Sequence, residues 1–241
     1  MRITFVGSSH GVPEPNRRCS CIMIETGGRV YFVDMGTSAV DALRTRGIPV
    51  EAVQAVFITH MHGDHTNGLI PFIDLITWYF KQADPLICLP MAEAADVIER
   101  WLKATLNEQP HRTRYRQTEE GLVYDDGVLR VTAAATKHCL RSFAYLVEAE
   151  GKRVLFTGDL RGAQVDFPEA ALEQPVDLVV CEAAHFKATD YLPVFERGDI
   201  AKVCVTHYNE EFFESVLQMQ KALNARGVEA VRATDGLTLD V

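Results

Sequence analysis

The sequence predicts an α/β (α+β) fold in which two β-sheets pack face to face with helices on the outside. Three observations lead there. The chain has 241 residues, 47% hydrophobic and 24% charged, an ordinary globular composition with enough apolar surface for one large core. Strand-like runs alternate with helical patterns along its whole length. The two halves also resemble each other: RVYFVDMG is like RVLFTGDL, and VFITHMHGDH followed by a helix is like VCVTHYNEE followed by a helix, with Thr59-His60 aligned on Thr206-His207. Two β-rich halves with flanking helices suit two stacked sheets, with functional side chains converging where strands end at the seam.

The elements follow in order. RITFVG, CIMIET, RVYFVDMG and AVFITH are runs of β-branched and aromatic residues bounded by Gly or polar residues, and each reads as a strand. SAVDALRTRG and GLIPFIDLITWYFK carry helical periodicity, and LICLP is a short strand leading into a helix over MAEAADVIERWLKATLN. LRVTAAATKH, FAYLVEAEG and KRVLFTGD continue as strands. DLVVCEA, KVCVTHY, a helix from about Glu210 to Arg226, and short strands at VEAVRA and LTLDV complete the pattern. No Pro/Gly-rich linker or long charge block divides the sequence, so residues 1–241 are expected to form a single domain.

Charge narrows the partners. The net charge is −9, with 24 Lys and Arg against 33 Asp and Glu, which disfavours extended nucleic acid because that binding draws on phosphate neutralisation. HRTRYR is the one local exception: in a strand, Arg112, Arg114 and Arg116 share a face, either as a phosphate clamp or as a solvated surface. His111 in that stretch receives no role. No apolar run approaches membrane-spanning length and MRITFVGSSHG lacks the features of a signal peptide, so no membrane partner and a cytoplasmic location are expected. The six scattered cysteines are expected to be mostly reduced, and Cys19 and Cys21, one residue apart with no second pair, are a poor zinc signature.

The chemistry concentrates in HMHGDH, which gives His60, His62, Asp64 and His65 directly after a strand. Neighbouring imidazoles are costly in a core unless a cation relieves them. Alternation puts His60 and His62 on one side, and Gly63 lets the chain turn so that Asp64 and His65 face a second point nearby. Imidazole with carboxylate suits zinc, with manganese or iron as alternatives, and two ions fit the split geometry better than one. Completion requires further ligands at strand ends, where His138, Asp159 and His207 stand. Any one histidine alone is most simply a satisfied core or loop group, but seven residues in this arrangement, with five of the eight histidines, point to a metal site.

Those residues make the chain resemble the metallo-β-lactamase superfamily, whose four-layered αββα sandwich carries an HxHxDH motif followed by isolated His, Asp and His ligands. The resemblance implies one divalent metal ion on His60, His62 and His138, a second on Asp64, His65 and His207, and Asp159 bridging both. GSSHGVPEPNRRCSC, ITHMHGDHTNGLIPFI, KHCLRSFAYLVE and CEAAHF resemble the ribonuclease Z-like, phosphodiesterase branch, from about residue 3 to the end of the chain. Two departures matter. The long arm with which ribonuclease Z grips tRNA lies between its third-motif His and bridging Asp, whereas His138 to Asp159 leaves room only for two strands and a turn, which argues against a tRNA 3′ endonuclease. The loop resembling the branch's HEAT motif reads Cys181-Glu182-Ala183-Ala184, so Cys181 replaces the proton-donating His and His185 stands nearby to compensate.

A dinuclear phosphodiesterase for a small or cyclic phosphate ester is the expected activity, with a bridging water activated towards neutral pH and a polarised phosphoryl oxygen. Asp64 would orient the nucleophile, and His185 or Glu182 would protonate the leaving group. The same ligand set serves acyl-type hydrolysis of a lactone, thioester or β-lactam, which stays open as the alternative. A di-iron redox protein is disfavoured by His62, since oxygen-reducing members show an acid there, and a non-catalytic binding protein is disfavoured by the intact ligand set. His10, in the loop after the first strand, either lines the site mouth or lies at the surface. Trp78, Tyr79 and Phe80 end a helix and are expected to be buried, with a substrate rim or a homodimer contact as the other readings.

Overall fold

A computed structural model describes residues 1–107 and 113–241, so the expectations for His111 and Arg112 lie outside the described residues. Two seven-stranded sheets are built from successive parts of the chain. The first contains β1 (Arg2–Gly7), β2 (Cys21–Thr26), β3 (Arg29–Met35), β4 (Val53–Phe57), β5 (Leu86–Leu89) and β6 (Arg114–Gln117). The second contains β7 (Gly121–Asp125), β8 (Arg130–Thr136), β9 (Ser142–Ala149), β10 (Lys152–Phe156), β11 (Leu178–Ala183), β12 (Lys202–Tyr208) and β13 (Glu229–Arg232). The last strand, β14 (Thr238–Asp240), returns to the first sheet beside β1.

The strand orders are β14-β1-β2-β3-β4-β5-β6 and β13-β12-β11-β10-β9-β8-β7. In each, one side is antiparallel (β14 to β3, and β7 to β10) and the other parallel (β3 to β6, and β10 to β13). This confirms the internal repeat and corrects its register. β3 corresponds to β10, as RVYFVDMG and RVLFTGDL indicate, but β4 then corresponds to β11 and β12 to β5. Thr59-His60 and Thr206-His207 are therefore not equivalent positions, and the counterpart of the loop after β4 is the loop after β11, which carries Glu182 and His185.

Period-two alternation explains the layering. Ala55 and Phe57 of β4 enter the inter-sheet core with Phe5, Tyr31, Tyr145, Val147 and Phe156, while Val56 and Ile58 face outward onto helices. That outer layer is formed by α1 (Ala39–Thr45), α3 (Leu69–Trp78) and α4 (Glu93–Ala104), with Leu43, Phe72, Ile73, Ile98 and Leu102 buried against the sheet. The one-turn helix α2 (Gly63–Thr66) lies between α1 and α3 in the chain. On the far side come α5 (Ala163–Asp166), α6 (Leu192–Phe195) and α7 (Phe213–Asn224), whose Val216, Met219 and Leu223 recur at helical spacing and pack on Val179, Val203 and Val205. The result is the four-layered αββα sandwich expected from the sequence.

One surface expectation changes, while Arg114 and Arg116, both exposed, fit the solvated-surface reading of their strand. Trp78 and Tyr79 are 48% and 61% exposed, because α3 ends at Trp78 and these rings leave its buried stripe; only Phe80 packs against the core. In β6, Arg114 donates to the Asp84 carbonyl oxygen and Arg116 to that of Val123, so both guanidiniums are engaged by neighbouring backbone. All six cysteines are free, and among the described residues no helix is long and apolar enough to cross a membrane.

Asp126, in the β7–β8 hairpin, ties the sheets together. Its carboxylate accepts from Tyr31 Oη and Arg29 Nη1 of the first sheet, and from Tyr124 Oη and the amides of Val128 and Leu129. Burial alone would raise its pKa, but these donors outweigh burial and hold it well below the usual carboxylate range. A depressed folded-state pKa contributes stability that is complete above the unfolded value of about 3.9 and is lost as pH falls through the folded value. Below about pH 4, urea midpoints of the wild type should therefore fall more steeply than those of Asp126→Asn; parallel pH dependences would refute the assignment.

Candidate metal centre

The loops after β4, β8 and β10 and the end of β12 meet at one end of the sandwich. Thr59 and His60 continue directly from β4 and are buried. His62 immediately precedes α2, whose single turn presents Asp64 and His65. The turn fits because β3 is followed by Gly36: a Cβ there would stand 1.7 Å from the Asp64 carbonyl oxygen. His138 follows β8, and Asp159 follows Gly158, whose φ of +58° and close approach to Thr59 exclude a side chain. His207, in β12, takes a left-handed φ of +46°, rare for a residue bearing a Cβ.

These side chains form two sets. His60 Nε2 and His138 Nε2 lie 2.9 Å and 3.1 Å from His62 Nδ1, so three ring nitrogens surround one point. In the second set, His207 Nε2 lies 3.0 Å from Asp64 Oδ2 and 3.2 Å from His65 Nε2. Asp159, 3% exposed, stands between them. Its Oδ2 is 3.6 Å from His60 Nε2 and 3.7 Å from His138 Nε2, and its Oδ1 is 3.4 Å from His65 Nε2 and 3.5 Å from His207 Nδ1. The seven residues named from the sequence are thus brought together.

The electrostatics of the bare cluster are in conflict. Burial, reinforced by His65, pushes His60 down to about 2, so it is neutral. Burial also lowers His138. His65 moves the other way: burial would lower it, but Asp159 and Asp34 dominate and raise it well above its ordinary value. Burial opposes ionisation of Asp64 and Asp159, yet the facing imidazoles hold both carboxylates ionised, His207 foremost for each.

Such a set fits divalent cations. A single proton bridges only one of the two contacts at His62 Nδ1, leaving ring lone pairs directed at one another. Asp159 Oδ1 and His207 Nδ1 are buried without a hydrogen-bond partner among the described residues, at the place where the second set faces the shared carboxylate. Nitrogen and oxygen donors in two groups about one carboxylate suit a dinuclear site.

Supporting residues surround the cluster. Asp34, at the end of β3 with φ +58°, was not singled out from the sequence. Its Oδ2 lies 2.7 Å from His65 Nδ1, and its Oδ1 accepts from the Thr59 amide and hydroxyl. This fixes His65 with Nε2 directed inward. The repeat of RVYFVDMG in RVLFTGDL, which puts an acid near both strand ends, was the available signal. Glu182 is 1% exposed and its carboxylate accepts from the amides of Leu160, Ala184 and His185 and from His185 Nδ1. His185, held by Glu182 and raised in pKa chiefly by that hydrogen bond, turns Nε2 to within 3.9 Å of Asp159 Oδ2. His10 Nε2 is 3.4 Å from Glu14, and the adjacent Gly11 lies against Asp64, placing this loop beside the cluster.

Comparison with known proteins agrees with this fold. Residues 1–222 match the family described as Anti-Pycsar protein Apyc1. A ribonuclease Z from Listeria monocytogenes serotype 4b is 27% identical over 156 residues, covering 64% of this chain and 51% of that protein. The chain spans about half the length of the ribonuclease Z relatives it matches. Among solved structures, human tRNase Z, short form, superposes with a TM-score of 0.78 at 19% identity, covering 100% of this chain and 99% of the other. The metallo-β-lactamase fold protein YhfI from Bacillus subtilis gives 0.79 at 18% identity, with 99% of each chain covered.

The Asp34 contacts make a direct prediction. In Asp34→Asn the amide cannot accept from both Thr59 and His65, so one buried donor loses its partner. Chemical denaturation of the metal-free variant should show a loss of about 1–3 kcal/mol, with zinc affinity falling about 10–100-fold. Wild-type values for both would show that Asp34 does not orient His65.

Proposed function

The chain belongs to the Anti-Pycsar protein Apyc1 family, within the ribonuclease Z-like branch of the metallo-β-lactamase superfamily, and from that premise we propose that it is a dinuclear metal-dependent phosphodiesterase acting on a small or cyclic phosphate ester. The carrying observation is Asp159, buried between two ligand sets and facing each with a different oxygen. On this reading residues 1–241 act as one domain, His60, His62 and His138 hold one ion, and Asp64, His65 and His207 hold the other. Zinc suits these donors, with manganese or iron as alternatives. Two such ions, when bound, supply a water nucleophile near neutral pH and neutralise charge on a phosphoryl group.

The protein's own groups do the remaining work. Asp64, through Oδ2, aligns His65 and His207 and presents an acceptor that orients an attacking water. Glu182, enclosed and fully engaged, is a positioning residue: it takes the Nδ1 side of His185 and leaves Nε2 facing the centre. The Glu182 hydrogen bond raises the pKa of His185 and so favours the imidazolium, whose Nε2–H can donate to the oxygen of a departing alcohol. Substrate size is limited by what the chain lacks between His138 and Asp159: β9 and β10 fill that interval, leaving no arm to grip a folded RNA. The net charge of −9 also favours a small ester over a long polyanion.

Metal content by mass spectrometry, with hydrolysis of bis(p-nitrophenyl) phosphate and cyclic nucleotides, tests the reading. About two ions per chain are expected, with activity abolished in Asp159→Ala. Two ions without phosphodiester cleavage would transfer the site to lactones and thioesters, and no metal would refute it. His185→Gln should slow esters with alkoxide leaving groups by about 10²–10⁴-fold while sparing p-nitrophenolate esters, whose leaving group needs no proton; equal losses on both would remove His185 as the acid.

A further inference from the structure

We propose that Arg17 is a positioning residue that sets cation affinity in the Asp64–His65–His207 half of the centre by clamping the left-handed backbone at His207. The inference rests on the dinuclear reading above and adds a residue outside the ligand set. Arg17 lies in the loop between β1 and β2, and its side chain is only 12% exposed. Its Nη2 donates to the carbonyl oxygens of Ser8 at 2.5 Å and Tyr208 at 3.0 Å, and its Nε to Ser8 Oγ at 3.3 Å. The guanidinium carbon stands 3.6 Å from the centroid of the Tyr208 ring.

The Ser8 carbonyl is the link to the site, because it also accepts from the His207 amide at 3.0 Å. His207 is therefore held on both sides: its own N–H by Ser8, and the next residue by Arg17 at the Tyr208 carbonyl. A φ of +46° persists in a side chain with a Cβ only where surrounding contacts over-determine it. Here the guanidinium of Arg17 supplies them, joining the carbonyl of Ser8, just after β1 of the first sheet, to that of Tyr208 at the end of β12 in the second. Glu14 Oε2, 2.7 Å from Nη1, neutralises the guanidinium and allows a cation this close to a site that must attract cations.

The clamp predicts an asymmetry. Nothing in it touches the loops bearing His60, His62 and His138, so losing it releases His207 alone. A lysine in place of Arg17 can keep the pair with Glu14, but one ammonium with three N–H groups cannot also hold Ser8 Oγ and both carbonyls, or stack flat on Tyr208.

The test is cobalt(II) titration of the full-length metal-free protein, following ligand-field absorption and bound cobalt by mass spectrometry. Wild type should take up two ions in resolvable steps. Arg17→Met should leave one step unchanged and weaken the other by about 10–100-fold, the range found when the support of a metal ligand is removed. Arg17→Lys should weaken the same step, and it carries the test if the Met variant does not fold. The unchanged step guards against general damage, as does thermal unfolding of each metal-free variant. Wild-type affinity at both steps, or equal weakening at both, would overturn the proposal. Uptake of fewer than two ions by the wild type would instead overturn the dinuclear reading, and the clamp with it.

Discussion

Everything at the mouth of this sandwich is arranged around the buried carboxylate of Asp159. Among the described residues, five imidazoles bring a ring nitrogen to within 3.9 Å of it: His60, His138 and His185 on one oxygen, His65 and His207 on the other. A negative charge with this little solvent is costly unless compensated. The imidazoles compensate it only by carrying protons that crowd one another, as the opposite displacements of His60 and His65 show. Divalent cations resolve both problems, and the fold is the means of presenting that conflict in a rigid form.

Rigidity comes from the packing of two sheets, not from the ligand loops. Phe57 is fully buried with Tyr145 and Tyr124 at its ring, and the Tyr145 hydroxyl donates to the Ile58 carbonyl immediately before Thr59 and His60. A side chain of the second sheet thus fixes the strand end of the first, where the ligands begin. Asp34 acts along the same axis, fastening Thr59 and His65 to the end of β3. The corrected repeat adds that the loop after β4, rich in ligands, and the loop after β11, bearing Glu182 and His185, occupy equivalent places in the two sheets. One furnishes residues that could hold a metal and the other a hydrogen-bonded histidine.

The strands were readable in the sequence because their periods are strong: RITFVG, CIMIET and KVCVTHY coincide with β1, β2 and β12. The seven clustered residues were readable because several unlike ligand types end strands in a fixed order. Residues that act through hydrogen bonds to backbone or to another ligand left no such mark. Asp34 looks like any strand-end acid, Arg17 like one of two loop arginines, and only the tertiary structure shows which atoms they reach. The Thr-His resemblance misled about the repeat because similar short words arise on non-equivalent parallel strands. Trp78 and Tyr79 were misjudged since hydrophobicity alone does not reveal where a helix stops.

The donors are divided between the sheets: His60, His62, Asp64 and His65 follow a strand of the first, and His138, Asp159 and His207 belong to the second. A cation shared across this seam is therefore a cross-link that the unfolded chain cannot make. Its supply then enters the folding equilibrium by mass action, each tenfold rise in free cation above its dissociation constant adding about 1.4 kcal/mol to the folded state. Newly made chain would meet proteases in its loosest form, and its lifetime would follow the availability of the ion.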